Sequence, residues 1–344
     1  MLNFTPALSR IRAKLTPLPP LLDQAAEVIE LEPGSTTEVP PAISLPNELD
    51  RVKRFNYGAA VQVPRLLAST RTERPTLSYR LNDAVLADFT LYAAGRHIVY
   101  RSGGKRPVIV GKPCLIDEAQ LCTTACIETY FGHFPRDALP LELLARERGL
   151  APLSFERQPW LHEPAYRELL EMPAVRTRYA RVEKLWLVDE TALNRGWARR
   201  LGEIRRRIRA RVQPTGDSHV FLARGSMGAA GRNLVNEVEL VAELGRRGFR
   251  IIEPETMDVR SICAAMAGAR VVACVEGSAQ GHAVAAMPAG AALLSIQPPH
   301  HFNSVPKLIA DAIGARFGYV VAEPRGEGFT LDPARFMRTL ELLA

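Results

Sequence analysis

The run VVACVEGSAQGH, residues 271–282, ends an apolar, β-branched stretch on groups able to do chemistry: Glu276, Gly277, Ser278 and His282. Glycine lets a backbone come close to a ligand. Ser278 is placed to cap a helix beginning at Ala279, as a hydroxyl at that position accepts from the first free N–H groups. Those N–H groups and the helix dipole favour an anion such as phosphate, the dipole alone by roughly 0.3–1 kcal/mol. Glu276 repels phosphate but accepts hydrogen bonds from sugar hydroxyls. A carboxylate beside an anion-favouring helix start suits a nucleotide sugar; a plain helix cap is the other reading. His282 fits either contact with such a ligand or a satisfied place in the core.

Other chemistries fail on spacing. A hydrolase nucleophile elbow needs Gly-x-Ser-x-Gly, and here Glu276 and Gln280 hold the glycine positions. A dinucleotide fingerprint needs Gly-x-Gly-x-x-Gly after the first strand of a sheet. EGSAQG is one glycine short and late, and ARGSMGAAGRN (223–233) has its glycines at other spacings. His300 and His301 resemble metal ligands, but adjacent side chains point apart in extended chain, and no carboxylates stand out as partners; no metal site is read. The five cysteines have no paired spacing. Cys122 and Cys126 share a helix face without two further ligands, so all are read as buried free thiols.

The elements that must position these groups follow from pattern. Residues 214–322 alternate strand and helix: HVFLA, FRIIEP, RVVACV, ALLSI and YVVA as strands, with helices at 233–247, 258–267, 279–286 and 305–313. That rhythm implies a parallel sheet with helices on both faces, which binds ligands at the carboxyl ends of its strands. Upstream, residues 76–100 read as strands turning at Asn82-Asp83 and Ala94-Gly95, residues 125–148 as helical, and PLSF and KLWLVD as further strands. In 195–212 an apolar stripe of Trp197, Leu201, Ile204, Ile208 and Val212 is crowded by arginines, read as a solvated basic face with nucleic acid or an acidic membrane as the alternative. Residues 1–50 read as a proline-rich arm.

The chain has 344 residues, 47% apolar and 24% charged, with net charge +7. That is the balance of a soluble globular protein long enough for two domains. No window reaches the roughly 20 apolar residues that span a bilayer. The start lacks a signal-peptide pattern, since Arg10, Arg12 and Lys14 lead into prolines; the expected location is the cytoplasm.

Taken in order, VFLARG, GRNLVNEVEL, GFRIIEPETM and AGARVVACVEGSAQGHAV resemble glycosyltransferase family 61, which includes bacterial capsular polysaccharide biosynthesis proteins. Arg224 matches an arginine ending a strand, Arg232 a second one before the Asn236-Glu237 pair, and Gly277-Ser278 the Gly-rich turn. ETYFGHFPRDALPLELL resembles the family's His-containing helix start and supplies His133 and Asp137. The turn departs from the His-Gly-Ala-Gly of many members. The resemblance implies an α/β, GT-B-like architecture: two Rossmann-like domains facing a cleft, with the C-terminal helix crossing back. Its expected parts are the arm 1–50, an acceptor-side α/β domain 51–213, a nucleotide-sugar-binding domain 214–322 and a C-terminal helix 323–344.

The resemblance also implies inverting transfer from a nucleotide sugar to a glycan or lipid-linked acceptor, without an essential metal or other cofactor. Arg224 and Arg232 are then the diphosphate pair, as guanidinium binds phosphate by charge-assisted, bidentate contacts. Asn236, Glu276, Gly277, Ser278 and His282 join them in donor binding. Asn236 and Glu237 can instead hold the arginine in place. Either His133 or Asp137 is the base, or Asp137 orients His133; four residues apart, they share a helix face. Two other readings stay open: a non-catalytic sugar-nucleotide-binding or scaffolding protein of a polysaccharide assembly complex, and an α/β nucleic-acid binder using the basic helix. Nucleic acid is not the expected partner; peripheral contact with the inner membrane is compatible with a lipid-linked acceptor.

Overall fold

The computed structural model describes residues 4, 6–8, 11–12, 18–101, 111–190, 193–225 and 232–343. The chain divides into two units, 1–34 with 74–200 and 35–73 with 201–344. Residues 35–73, which sequence reading split between the arm and the first domain, therefore group with the C-terminal part. The division at Arg200 falls within the basic helix Arg195–Arg209 rather than at 213. Part of the proline-rich arm lies outside the described residues, as does most of the glycine run between Gly225 and Arg232.

The first unit is built on an eight-stranded mixed sheet. Its long central strand Tyr179–Asp189 runs antiparallel to Thr76–Ala87 on one side and parallel to Cys114–Leu121 on the other. Beyond Cys114–Leu121 the parallel half continues through Ala151–Phe155 to Val175–Thr177. The antiparallel half adds Thr90–Ala93, Arg96–Val99 and Glu27–Glu32. The expected turn at Asn82-Asp83 is not one. Thr76–Ala87 is a single strand that pairs across Asn82, and the reversal comes at Asp88-Phe89, both with positive φ. Leu81, Ala84, Val85 and Leu86 are all buried there, so apolar burial on either side of Asp83 outweighs its turn propensity and leaves only a local kink.

The expected helix 125–148 is broken. Ala125–Thr129 ends before His133, a π-helical turn Phe134–Ala138 follows, and Leu139–Glu147 continues as α-helix. Pro135 and Pro140 each lack the N–H that a continuous helix would use.

The second unit is doubly wound. Its five parallel strands are ordered Arg250–Ile252, His219–Leu222, Val271–Val275, Ala292–Gln297, Arg316–Val321. The chain starts on the second of these, steps outward once, then crosses back and proceeds the other way. The strand order therefore reverses between His219–Leu222 and Val271–Val275, and the crevice over their carboxyl ends is the ligand position of such sheets. Every strand and helix expected in 214–322 is present. The final helix Pro333–Glu341, expected to cross back, places Phe336 and Leu340, with Leu343 just after it, in the core of this second unit. Residues 35–73 pack here too: Ile43 bridges Gly318, and the buried Glu48 pairs with Arg335.

In the basic helix the apolar stripe is buried as expected, but the basic face is not uniformly solvated. Arg200 is fully buried against Glu190 and Glu32, both within the first unit. Arg205 is buried in the second unit, donating to the carbonyls of Met287 and Ile313 at two helix C-termini. Arg199 is paired with Glu147, and Arg206 and Arg207 with Glu203. The cysteines also differ: Cys122, Cys263 and Cys274 are buried, whereas Cys114 and Cys126 are exposed.

Candidate active-site residues

At the switch point of the second unit, Arg224 follows the strand His219–Leu222 and Glu276 follows Val271–Val275. The two strand ends are tied together, Arg224 Nη1 donating to the Glu276 carbonyl at 2.8 Å. Gly277 makes this approach possible. Its φ of 151° disfavours a side chain, and a Cβ there would sit 3.2 Å from Arg224 Nη1. Arg232 donates to the Glu276 carboxylate, and Asn303 Nδ2 donates to the other oxygen, Oε1, at 2.9 Å. Glu276, only 5% exposed, is therefore held on both oxygens. Burial and the neighbouring Arg232 charge pull the pKa of Arg224 down. The Nε atoms of Arg224 and Arg232 are buried and have no hydrogen-bond partner among the described residues.

Glu237 holds the base of this arrangement. Its two oxygens accept from the backbone N–H groups of Arg224 (2.7 Å) and Gly225 (3.0 Å). Burial raises its pKa, opposed by those two N–H groups and by Arg224. Asn236 does otherwise: both ends of its amide engage the backbone of Leu331, at 2.9 and 3.1 Å. A cavity of about 260 Å³ opens beside Arg224 and Gly225, walled by Glu237, Val241 and the Glu253–Thr256 segment at the carboxyl end of Arg250–Ile252.

The helix after the turn begins later than expected. It spans the seven residues Gln280–Ala286, and no side chain caps it. Ser278 is exposed and contributes its carbonyl, not its hydroxyl, by accepting from Gly281 N. Propensity alone favoured a serine cap, but Gly277 O and Ser278 O open the helix instead. His282 is 1% exposed, inside that helix. Two residues unread in this context, Asn303 and His301, join the group. The Arg232 and Glu276 charges both act on His301, whose pKa is lowered by burial first and then by Arg232. The signal was available: both follow the strand Ala292–Gln297 and so lie at the carboxyl end of the sheet.

In the first unit, His133 and Asp137 are in contact, Nδ1 to Oδ2, at 2.5 Å. Arg136 donates to both Asp137 oxygens, at 2.8 and 2.7 Å. Burial pushes the Asp137 carboxyl up, but the Arg136 charge and the hydrogen bonds from His133 and Arg136 outweigh it, leaving the pKa at about 2. An ionised Asp137 can only accept, so its contact with the imidazole requires the proton on Nδ1. Arg136 Nη2, 2.5 Å from Nδ1, then cannot donate to that nitrogen and is held by the carboxylate. In the neutral ring, Nε2 is the nitrogen with a lone pair to offer. Among the described residues no group of three or more His, Cys, Asp or Glu side chains could hold a metal ion, and no helix is long and apolar enough to cross a membrane.

The second unit is thus a doubly wound α/β domain with paired arginines at its switch point, the position at which sheets of this class take their ligands. Residues 131–294 match the family model Glycosyltransferase 61. The match spans His133 and Asp137 as well as the Arg224–Glu276 group. No curated protein matches the chain.

Proposed function

We propose that the protein is an inverting glycosyltransferase. It moves a sugar from a nucleotide-sugar donor to a glycan or lipid-linked acceptor in surface polysaccharide synthesis. The observation that carries this reading is the Arg224–Arg232 pair at the switch point of the parallel sheet, where a leaving diphosphate needs positive charge. His133, oriented by Asp137, takes the proton of the acceptor hydroxyl on Nε2. Asp137, held ionised, fixes the tautomer and balances the imidazolium that forms. The cavity lined by Glu253–Thr256 lies next to Arg224 in the same unit and has room for part of a nucleotide. The two-domain, cleft-forming GT-B arrangement, action in the cytoplasm next to the inner membrane, and transfer without an essential metal belong to the same proposal. The last is tested by assaying activity in the presence of a chelator.

A thermal-shift screen against UDP-, GDP-, CMP- and dTDP-linked sugars tests the reading. A donor at 100 times its dissociation constant adds about 2.7 kcal/mol of stability. A shift with one donor, lost in Arg224→Ala, supports a donor site at that arginine and names the nucleotide, and release of the nucleoside diphosphate from that donor in the presence of an acceptor then separates transfer from binding alone. No shift with any donor at millimolar concentration favours a scaffolding protein.

A further inference from the structure

The carboxylate of Glu276 is paired with Arg232, one of the two arginines read as the anion site. Arg232 lies close enough for its charge to disfavour that of Arg224, and two part-buried guanidinium groups without a counter-charge are costly. Glu276 supplies that counter-charge from the adjoining strand end. Its carbonyl engages Arg224 and its carboxylate engages Arg232. Asn303 keeps the carboxylate there. The Asn303 amide is itself fixed at both ends, Oδ1 accepting from Val305 N at 3.0 Å and Nδ2 donating to Glu276 at 2.9 Å, while its backbone N–H donates to Gln297 Oε1 at 3.0 Å. A side chain that merely waited for sugar hydroxyls would have no need of a charged partner and a pinned amide.

We propose that Glu276 is an internal counter-anion that competes with a ligand diphosphate for Arg232, with Asn303 as the residue that positions it. The inference rests on reading Arg224 and Arg232 as a diphosphate site. On binding, Arg232 exchanges the carboxylate for phosphate oxygens, and Glu276 remains close to the incoming negative charge. After the sugar has left, the carboxylate takes Arg232 back, and a nucleoside diphosphate that has lost one partner departs more readily. Glu276 thereby limits affinity for the product. This role differs from that of a sugar-hydroxyl acceptor in a measurable way, since it acts on ligands that contain no sugar.

The test measures dissociation constants of UDP, GDP, dTDP and inorganic pyrophosphate, and of the corresponding nucleotide sugars, by calorimetry. The proteins compared are the unaltered chain, Glu276→Gln, Asn303→Ala and Arg224→Ala, each checked for folding by its thermal transition. Glutamine keeps the shape of Glu276 and one of its two side-chain acceptors and removes the charge. Removal of one like charge beside a diphosphate should tighten the sugar-free diphosphates by at least about fivefold, the effect of a unit charge about 4 Å away under water-like screening. Asn303→Ala, which frees the carboxylate from its pin, should change affinity for them in the same direction by a smaller factor. Tighter sugar-free diphosphates in Glu276→Gln, with binding lost in Arg224→Ala, support the proposal. Weaker nucleotide sugars with unchanged sugar-free diphosphates make Glu276 a sugar ligand and overturn it. Weaker binding of both classes makes Glu276 a structural support for the arginines and also overturns it. If Glu276→Gln is unchanged while Arg224→Ala loses binding, the diphosphate site stands and the counter-anion falls. If no variant binds any diphosphate, the site reading fails and takes the inference with it.

Discussion

The carboxylate of Glu237 spans the backbone N–H groups of Arg224 and Gly225, at 2.7 and 3.0 Å, so the conformation of the strand end that presents Arg224 is fixed from one turn of a neighbouring helix. Glu237→Gln keeps the size and one acceptor but turns an NH₂ group toward an N–H. A part-buried donor left unpaired costs about 1–3 kcal/mol. Denaturant unfolding should report that loss, and binding of a nucleoside diphosphate should weaken as Arg224 loses its fixed base.

Gly277→Ala tests the other side of the same arginine. The new methyl meets Arg224 Nη1 at 3.2 Å on a backbone with φ of 151°. Strain of about 1–3 kcal/mol is expected. Arg224 can relieve part of it by turning away from the Glu276 carbonyl. Diphosphate affinity should therefore fall by more than the melting temperature suggests, and calorimetry beside thermal unfolding separates the two.

His133 and Asp137 make different predictions as base and orienter. Loss of a general base lowers kcat by about 10²–10⁴-fold, so His133→Ala should do so with little change in donor affinity. Asp137→Asn retains the imidazole but can favour the wrong tautomer, and it should also lower kcat at unchanged donor affinity. Single-turnover assays with a donor identified by the thermal screen check both.

Asp137 also sets a pH window for stability. Its folded pKa of about 2 lies below the ordinary 3.8. A depressed carboxyl contributes stability that is fully present above the unfolded value and is lost as pH falls through the folded one. The contribution, roughly 2 kcal/mol for a side chain that is mostly buried, should therefore be intact above about pH 5 and gone near pH 1. Denaturation of Asp137→Asn alongside the unaltered chain between pH 6 and 2 should show the gap between them closing as the acid limb is descended.

The parallel sheet of the second unit was legible because its strands are buried on both faces. Val271–Val275 and Ala292–Gln297 are buried at every position; the first is an unbroken apolar run and the second is interrupted only by Ser295 and Gln297. The glycine turn after the third strand was read from its own residues, and the arginine at the first strand end from the family resemblance. What spacing could not carry was the partner of each group. Glu276 sits 44 residues from Arg232 and 27 from Asn303, and only the sheet order brings these together. Arg200 and Arg205 lie three or four residues from Trp197, Leu201, Ile204 and Ile208, at the margins of the apolar stripe. Spacing alone did not supply their partners, Glu190 for the first and the carbonyls of Met287 and Ile313 for the second. Asn82-Asp83 failed for the opposite reason: a strong local turn signal was overruled by buried neighbours on the same strand.

The pairing of Glu48 with Arg335 has a consequence in time. Glu48 accepts from Arg335 and from the Val321 N–H, partners 287 and 273 residues away. A ribosome adding about 5–20 residues per second delivers that much chain in roughly 15–55 s. Throughout that interval the early segment has its carboxylate and its apolar residues ready and their native partners not yet made. The second unit thus joins an early segment, residues 35–73, to chain made only after the first unit's residues 74–200. Its completion is gated by synthesis itself, and a chaperone that shields residues 35–73 during elongation would raise the yield of folded protein.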